Sequence, residues 1–537
     1  MHHMKREIGL IGLTFVAISG MIGSGWLFAP LEASQYAGPA SLISWAIGAI
    51  AMLLLAITFA EISAMLPVAG GIARVPQFSH GNVVAMAMGW SAWVGYNTTA
   101  PIEVEAMLHY LAPHTPWLYV GTGTSTLSVW GVVICTLLLL VFTIINAVGV
   151  KFFAYINSTL TWAKIGIPLL LALMIIFSIF NGGNFTNEQT GGFAPYGLQG
   201  ILAAVSSGGI IFAFIGFRHA IDMAGETKNP KFTIPAALIL AVLIAFVIYG
   251  LLQIAFIGAV EPGEMTNGWK SLSLGHQMGP MAAIASALGI LWLVSLLNVG
   301  AVASTFAAGL VSSGSNGRLA LALAQNGLFS RFFLEISERG VPLHALFLNF
   351  VVSALFFVAM PFSEVVALNG AAIVLSFVVG PISVVALRTL LPDRPRAFKV
   401  PAVRITAGVA FVIATLVVYW SGWDTIWRLG IALIVGFVWF LISRMWFRGN
   451  HGPQELDLRE AIWLIPYFVG IGLISMLGHF GDGLGIIPFG WDQLLIALLA
   501  IGTFTYALKS KLPQKKFDRY MEEERIFERA EYGHEEV

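Results

Sequence analysis

The chain has 537 residues, of which 58% are hydrophobic and only 10% are charged, and its formal charges sum to zero. Soluble domains typically carry about 25% charged residues, so this composition indicates a protein that the lipid bilayer solvates. A balanced charge gives no electrostatic reason to expect a nucleic-acid partner. The single cysteine, Cys135, excludes a disulfide framework within the chain, and we expect neither a structural metal nor a cofactor.

Fourteen apolar runs are long enough to cross a bilayer, which takes roughly 20 mostly apolar residues. The first run, "IGLIGLTFVAISGMIG", is too long for a signal peptide and no small-residue cleavage site follows it, so we interpret it as a retained span. In chain order the predicted spans are 8–29, 40–65, 83–110, 126–148, 156–180, 200–222, 234–260, 281–311, 343–360, 364–390, 403–421, 426–447, 460–478 and 486–508.

The distribution of lysine and arginine provides an independent test of this count. An even number of spans places both chain ends on one side of the membrane. That side collects every loop lysine and arginine except Lys270 and Arg428. Because cytoplasmic loops carry the excess of basic residues, we expect both termini in the cytoplasm.

Two further basic residues lie at membrane depth: Lys164 in "TLTWAKIGIPLL" and Arg218 in "FIGFRHAID". A charge at the centre of a span costs at least about 2.5–3.5 kcal/mol on insertion scales, so such residues usually face a cavity or a partner. For each residue, the alternative to a functional role is an internal ion pair that only fixes the packing of helices.

Spans one and six contain glycines where a continuous helix disfavours them. Span one reads "ISGMIGSGWLFAP" and span six reads "SSGGIIFAFIGFRHAID". Close helix packing would explain single glycines of this kind. The two spans, however, hold matching positions in two consecutive sets of five, and interrupted segments at matching positions predict a transporter binding site. We expect unwound segments near Gly23 to Gly25 and near Ile215 to Phe217, where free N–H and C=O groups suit the zwitterionic head of an amino acid.

Longer motifs in the first two thirds of the chain resemble one family of membrane proteins. They are "GMIGSGWLF" with "AGPASLISWAIGAI", "AEISAMLPVAGGIARVPQ", "FAFIGFRHAIDMAGETKNPKFTIPAAL" and "SNGRLALALAQNGLFSRFFLEISERGVPLHAL". Together they resemble the amino acid/polyamine/organocation (APC) transporter superfamily and, within it, the bacterial aspartate–proton symporter group. Each motif alone is weak, but their combination over residues 8–346 is specific.

The resemblance implies an all-α integral membrane protein with a LeuT-type fold, that is, two inverted five-helix repeats followed by additional helices. We expect the first repeat at 1–180, the second at 200–390, accessory spans at 403–508 and a charged cytoplasmic tail, partly helical at most, at 509–537. It also implies a bacterial cell membrane as the location.

The same resemblance implies where an amino acid would bind. Its carboxylate would meet Ser24 and the amide of Gly25 at the first break. Its ammonium would meet backbone carbonyls near Met21, Phe212 and Ile215, and Phe212 would close over the substrate as an aromatic gate. Gly23 and Gly216 would support the two breaks.

Arg218 stands where many members of the family have an acidic residue. A guanidinium presents a planar donor fork that matches a carboxylate, so we expect aspartate or glutamate as substrate and repulsion of cationic amino acids. The alternative pairs Arg218 with Asp222 one helical turn on, which would leave a neutral site for small neutral amino acids.

Lys164 lies in the fifth span, where proton-coupled members of the family carry a lysine in place of a bound sodium ion. The resemblance therefore implies proton coupling through Lys164. A lysine that is held by backbone carbonyls without titrating is the alternative interpretation. Exchange of one amino acid for another is the alternative to proton symport.

Five other polar residues are weaker candidates. Asn97 in span three is expected to reach the substrate, whereas Glu103 and Glu105 in the same span are expected near its outer end. Glu61 at the cytoplasmic end of span two is expected to be structural. His219 points about 100° away from Arg218 around a helix, which favours packing over proton relay.

Other function classes lack their signals. An intramembrane enzyme would need a nucleophile with its base or metal ligands, and the sequence has no pattern such as H-E-x-x-H. A channel would need repeated polar filter segments, and a sensor would need a soluble output domain. We therefore expect transport by alternating access.

Overall fold

A computed structural model describes residues 6–112, 115–120, 126–265, 267–272, 280–287, 289, 291–446 and 456–532. Among them every regular element is a helix, and β structure is limited to two isolated bridges. The α-helices are α1 Leu10–Met21, α2 Gly25–Ala37, α3 Ser41–Met65, α4 Gly71–His80, α5 Asn82–Leu111, α6 Val129–Val148, α7 Val150–Ser178, α8 Gly197–Ser206, α9 Ile210–Phe214, α10 Arg218–Asp222, α11 Pro230–Ala259, α12 Pro280–Ala287, α13 Leu291–Gln325, α14 Leu343–Ala359, α15 Phe362–Phe377, α16 Val379–Leu390, α17 Val403–Trp420, α18 Trp423–Trp446, α19 Leu458–Ala461, α20 Leu464–Leu477, α21 Trp491–Lys509 and α22 Gln514–Tyr532.

Every predicted span coincides with helix. In the described part of the chain, ten helices are long and apolar enough to cross a bilayer, or eleven if the bent pair α8 and α9–α10 is one span. One of the ten, Gly25–Met65, joins the second half of span one to span two. Spans three and nine coincide with α5 and with the 17-residue α14. The chain is thus an all-α, multi-pass membrane protein, consistent with a LeuT-type fold, and its division into repeats at 1–180 and 200–390 stays a prediction.

Both predicted breaks correspond to interruptions of helix, although span six is interrupted twice. In span one, α1 ends at Met21 and α2 begins at Gly25. In span six, a 3₁₀ turn occupies Ile215–Phe217. A larger bend of 45° lies earlier, between α8 and α9. The sequence interpretation did not place this bend, which Gly209 permits because it adopts a left-handed φ of +76°.

The two broken spans cross at a contact between glycine backbones. A Cβ added to Gly216 would lie 2.2 Å from the carbonyl carbon of Gly20 and 2.2 Å from the amide nitrogen of Met21. A Cβ added to Gly20 would lie 2.1 Å from Cδ2 of His219. Small residues let helices in a membrane approach this closely. The crossing therefore fixes the position of each break relative to the other.

Helix α13 continues well beyond the predicted end of span eight at residue 311. It ends at Gln325, so the segment "SSGSNGRLALALAQ" is helical rather than a loop. Its Asn316 and Arg318 side chains are buried, and Arg318 Nε donates to Glu226 Oε1 at 2.8 Å. Tertiary packing thus overrides the turn signal of the Asn-Gly pair.

The charged tail is more ordered than we expected. Helix α22 is 19 residues long and contacts α4. Arg74 of α4 is paired with Glu524, and the Asn82 amide donates to the Tyr520 hydroxyl at 2.9 Å. Tyr520 in turn donates to Asp457 Oδ2 at 2.7 Å. The tail is thus helical over most of its length, because buried polar partners on α4 and before α19 stabilise the helix.

Candidate functional site

The carboxylate of Glu103 occupies the break in span one. The Ser24 N–H donates to Glu103 Oε2 at 2.8 Å and the Ser24 hydroxyl donates to Glu103 Oε1 at 3.2 Å. A Cβ on Gly23 would lie 2.3 Å from Glu103 Oε1, so glycine at position 23 is what admits this carboxylate. Glu103 was expected near the outer end of span three, and this expectation is wrong. Glu103 lies at the place where, according to the resemblance, the carboxylate of a substrate would bind.

The backbone carbonyls expected to bind an ammonium already accept hydrogen bonds from the protein. The Tyr249 hydroxyl donates to the Met21 carbonyl oxygen at 2.8 Å, and the Tyr249 ring stacks on Trp45 with ring centroids 4.6 Å apart. The backbone N–H of Arg218 donates to the Ile215 carbonyl. Because a carbonyl oxygen has two lone pairs, each can accept a second bond. Gly25, the first residue of α2, lies beside Tyr249, since a Cβ there would be 3.2 Å from the hydroxyl oxygen.

Lys164 holds the end of α1. Its Nζ donates to the Ser19 carbonyl oxygen at 2.5 Å and lies 3.0 Å from the Ser19 hydroxyl. Both side chains are fully buried. The carbonyls at the C-terminal end of a helix carry partial negative charge, which stabilises an ammonium placed there. The fifth span therefore contacts span one within the last turn before its break.

Arg218 is fully buried, and two of its nitrogens lack partners. Nη2 donates to the Thr99 hydroxyl at 2.9 Å, and the guanidinium carbon lies 4.3 Å from the centroid of the Tyr96 ring. Nε and Nη1 have no hydrogen-bond partner among the described residues. Desolvating a cation without pairing it is costly, so this guanidinium has unused capacity for an anion.

Tyr96 lies between Arg218 and Asp222. Its hydroxyl donates to Asp222 Oδ2 at 2.5 Å, while its ring faces the guanidinium. Among the described residues Asp222 Oδ1 has no hydrogen-bond partner, so Arg218 does not donate to it, and Oδ2 accepts from Tyr96. The direct pairing that we considered as the alternative is therefore not found, and Tyr96 mediates between the two charges instead.

The contacts of His219 indicate a packing role rather than a role in proton relay. Its Nε2 lies 3.5 Å from the Ser312 hydroxyl, and its ring is edge-on to Tyr96 with centroids 5.9 Å apart. It also fills the space beside Gly20 at the crossing of the two broken spans. This placement agrees with the packing role that we favoured.

Asn97 faces α14 and not the breaks. Its amide donates to the Trp93 carbonyl at 2.9 Å, and its Oδ1 accepts from the Ser353 hydroxyl at 3.2 Å. The side chain is fully buried in this arrangement. Contact between Asn97 and a substrate does not fit this geometry, because the side chain lies on a different face of α5 from Glu103.

A cavity of about 1050 Å³ lies on one side of the breaks. Phe212 lines it, together with residues of α2, α8 and α15 and with the loops before α18 and α21. Asp424 comes from the first turn of α18 and Asp482 from the loop before α21, so the accessory spans contribute to the lining. The lining does not include Ser24 or Arg218. Phe212 therefore faces this cavity, and its role as a gate stays a prediction.

The N-terminal segment is bonded to the turn that follows α10. Arg318 and Glu226 form a fully buried ion pair. The Ile8 N–H donates to the Glu226 carbonyl at 3.0 Å, and the Lys228 N–H donates to the Ile8 carbonyl at 2.8 Å. Glu61 accepts from Arg388, which is the structural role expected for it.

Two groups at the site gave little or no signal in the sequence. Tyr249 is a single hydroxyl in the apolar run "AFVIYGLLQIAF", and only Gln253 one turn later hints at a polar face. Tyr96 lies in span three, and nothing in the sequence around it indicates a specific role. Their partners lie on other helices, which one chain read on its own does not reveal.

Residues 8–454 match the amino acid permease family. Over 522 residues the chain is 34% identical to the glutamate/serine transporter AimA of Bacillus subtilis (strain 168), with 95% of each chain covered. It is 32% identical over 525 residues to the aspartate-proton symporter of the same organism, covering 96% of this chain and 98% of the relative. The branched-chain amino acid permease BcaP, also from that organism, is 25% identical over 446 residues, covering 82% and 94%. These proteins are transporters and not enzymes, and the chain belongs to the amino acid permease family of the APC superfamily.

Proposed function

We propose that the protein is a secondary active transporter that takes up an acidic amino acid, aspartate or glutamate, together with protons. The observation that carries this proposal is the buried Arg218, whose Nε and Nη1 have no partner among the described residues. Similarity to a glutamate/serine transporter and to an aspartate-proton symporter supports the same substrate class.

Arg218 supplies the selectivity in this proposal. Nε and Nη1 each form a planar fork with Nη2, so a side-chain carboxylate can accept through both oxygens from one of these free donors together with the second N–H of Nη2. The guanidinium is already held in place by Thr99 and by the Tyr96 ring, so little order is lost when it binds an anion. A second carboxylate on the substrate would also offset the cost of the buried cation.

Lys164 supplies the coupling. In its protonated form Nζ holds the Ser19 carbonyl and so anchors α1 beside the break. Loss of the proton would remove a charge-assisted bond and free the end of α1 to move. A proton on Lys164 would thus favour one arrangement of span one over another, which is what coupling to a proton gradient requires.

Alternating access needs a path that opens on one side at a time. We propose that the cavity beside Phe212 faces the outside of a bacterial cell, and that the Arg318–Glu226 pair closes the cytoplasmic side. Both termini would then lie in the cytoplasm, as the distribution of basic residues predicts.

A second candidate function follows from Tyr96. Because Tyr96 contacts both Arg218 and Asp222, the three side chains can form a neutral structural cluster. The site would then serve small neutral amino acids, by proton symport or by exchange. The name of the serine-transporting relative is compatible with this function.

Uptake of labelled aspartate into proteoliposomes, in competition with each of the twenty amino acids, tests the proposal. We expect aspartate or glutamate to compete best, and accumulation to require an inward proton gradient and no sodium. Competition by neutral amino acids alone would favour the second candidate. Sodium-dependent uptake that is insensitive to pH would refute proton coupling, and counterflow without a gradient would identify exchange.

A further inference from the structure

We propose that Glu103 is an internal substitute for the α-carboxylate of the substrate, and that an amino acid binds only when Glu103 takes up a proton and leaves Ser24. This inference deepens the proposed function and rests on it in one respect, that the break in span one binds an amino acid. It concerns the α-carboxylate, which all amino acids share, and not the side chain that Arg218 would recognise.

The geometry of Ser24 carries the inference. Its N–H and its hydroxyl donate to the two different oxygens of Glu103, at 2.8 and 3.2 Å. These are free donors at the N-terminal end of the half-helix α2, a position that favours an anion. Glu103 is only 2% exposed, so its carboxylate has no water shell to replace these bonds. A substrate carboxylate that uses the same donors has to displace Glu103.

The groups that face Glu103 from neighbouring helices are already engaged elsewhere. Lys164 of α7 is bonded to Ser19, and Arg218 of α10 is bonded to Thr99. The Tyr249 hydroxyl of α11 donates to the Met21 carbonyl, and α13 contributes the apolar Ala308 beside Gly23. In the described part of the chain the Glu103 carboxylate accepts hydrogen bonds from Ser24 alone, while the charges of Lys164 and Arg218 attract it without bonding to it.

Displacement therefore leaves Glu103 as a second carboxylate in one buried site. Two carboxylates that share such a site do not both stay ionised, because like charges in a desolvated space repel strongly. Glu103 gains one proton from the aqueous side, and the ionised α-carboxylate takes its place as acceptor from Ser24. The negative charge beside Ser24 is the same before and after, and release of the substrate reverses both changes.

Proton uptake on binding is the direct test. Binding of aspartate and of serine to the purified full-length protein is measured by calorimetry at neutral pH, in buffers of different ionisation enthalpy. For the unaltered protein we expect about one proton taken up per amino acid bound, and affinity that falls about tenfold per pH unit as Glu103 ionises. Glu103→Gln should bind with about one proton less and with little dependence on pH.

Glu105→Gln is the matched control, because Glu105 is two residues further along α5 and only partly buried. It should keep the full proton uptake. If Glu103→Gln keeps it as well, Glu103 is not the displaced group and the inference is overturned. Loss of the uptake only on Lys164→Ala, with Glu103→Gln unchanged, would overturn it in the same way.

The unaltered protein provides a measurement that does not depend on a variant folding. Its infrared difference spectrum, bound minus free, should gain the band of a protonated carboxyl group with either amino acid, and absence of that band would overturn the inference. The proposed selectivity for acidic amino acids can be refuted independently of the role of Glu103. If serine binds with one proton and aspartate does not bind, the role of Glu103 stands and the acidic substrate class is wrong.

Discussion

The breaks in spans one and six differ in how far the protein satisfies their polar groups itself. At the first break, Glu103 accepts from Ser24, Tyr249 donates to a backbone carbonyl, and Lys164 holds the end of α1. At the second break, Arg218 and Asp222 keep atoms without partners among the described residues.

The difference separates two kinds of recognition. Groups at the first break, which would bind the head of any amino acid, are bonded to other groups of the protein. Burying them in the empty site therefore costs little free energy. Groups at the second break, which would bind only certain side chains, keep atoms without such partners among the described residues. Selectivity in this protein is therefore expected to depend on the second break, and coupling to depend on the first.

Replacing Gly216 with alanine should have the largest effect, because the added methyl group would push the two broken spans apart. The new Cβ would lie 2.2 Å from backbone atoms of Gly20 and Met21, which no side-chain rotation relieves. Overpacking of this kind costs typically about 1–3 kcal/mol or more, and we expect transport to be abolished. Gly250→Ala in α11 is the control, since nothing lies within 4 Å of its Cβ position. Normal uptake by Gly216→Ala would show that the crossing can relax.

Replacing Lys164 with alanine should abolish proton-driven accumulation while leaving some binding. The Ser19 carbonyl would lose its charged donor, and α1 would no longer respond to a proton. Uptake against a gradient and binding to purified protein, measured side by side, separate the two effects. Lys228→Ala, which removes an exposed lysine, should change neither. Intact accumulation by Lys164→Ala would assign coupling to another group.

Replacing Arg218 with alanine should weaken binding of aspartate by more than tenfold. Loss of one member of a buried, hydrogen-bonded charge pair costs typically about 2–5 kcal/mol. Serine, which has no side-chain carboxylate, should be affected less or should bind better. Arg218→Lys keeps the charge but not the planar fork, so it should restore only part of the affinity. Equal losses for aspartate and serine would identify Arg218 as structural.

Replacing Tyr96 with phenylalanine should have the smallest effect on aspartate affinity, less than tenfold. The ring beneath Arg218 remains, but Asp222 loses its hydroxyl donor. Leaving a buried acceptor unsatisfied costs about 1–3 kcal/mol, so the melting temperature should fall more clearly than the affinity. A loss of aspartate binding as large as that of Arg218→Ala would instead favour a neutral cluster of the three side chains.

Properties that depend on local sequence were predictable. Runs of apolar residues predicted the position of every span. Glycines predicted the break at residues 22–24 and the turn at Ile215–Phe217. The 45° bend before α9 was missed because Gly208 and Gly209 also read as packing glycines. The end of α13 was missed because the buried pair of Arg318 with Glu226 outweighs a local turn signal.

The site was predictable only on the two broken spans. Met21, Ser24 and Ile215 could be named because a break exposes backbone groups whatever surrounds it. The partners of these groups come from α5 and α11, and no pattern in those helices says which face meets the break. Asn97 and Glu103 illustrate this limit, since both lie in α5 and Glu103, not Asn97, is the one that meets the first break.

The docking of α22 has a consequence for the order in which the protein is assembled. Arg74 and Asn82 leave the ribosome early, but their partners Glu524 and Tyr520 lie 450 and 438 residues later in the chain. The contacts around α4 therefore cannot be completed during most of translation, even after the preceding spans have been inserted into the membrane. In a nascent chain that stalls after the last span, Arg74 and Asn82 would lack their partners from α22. Proteases can distinguish this exposed region at 71–82 from the covered region of the finished protein.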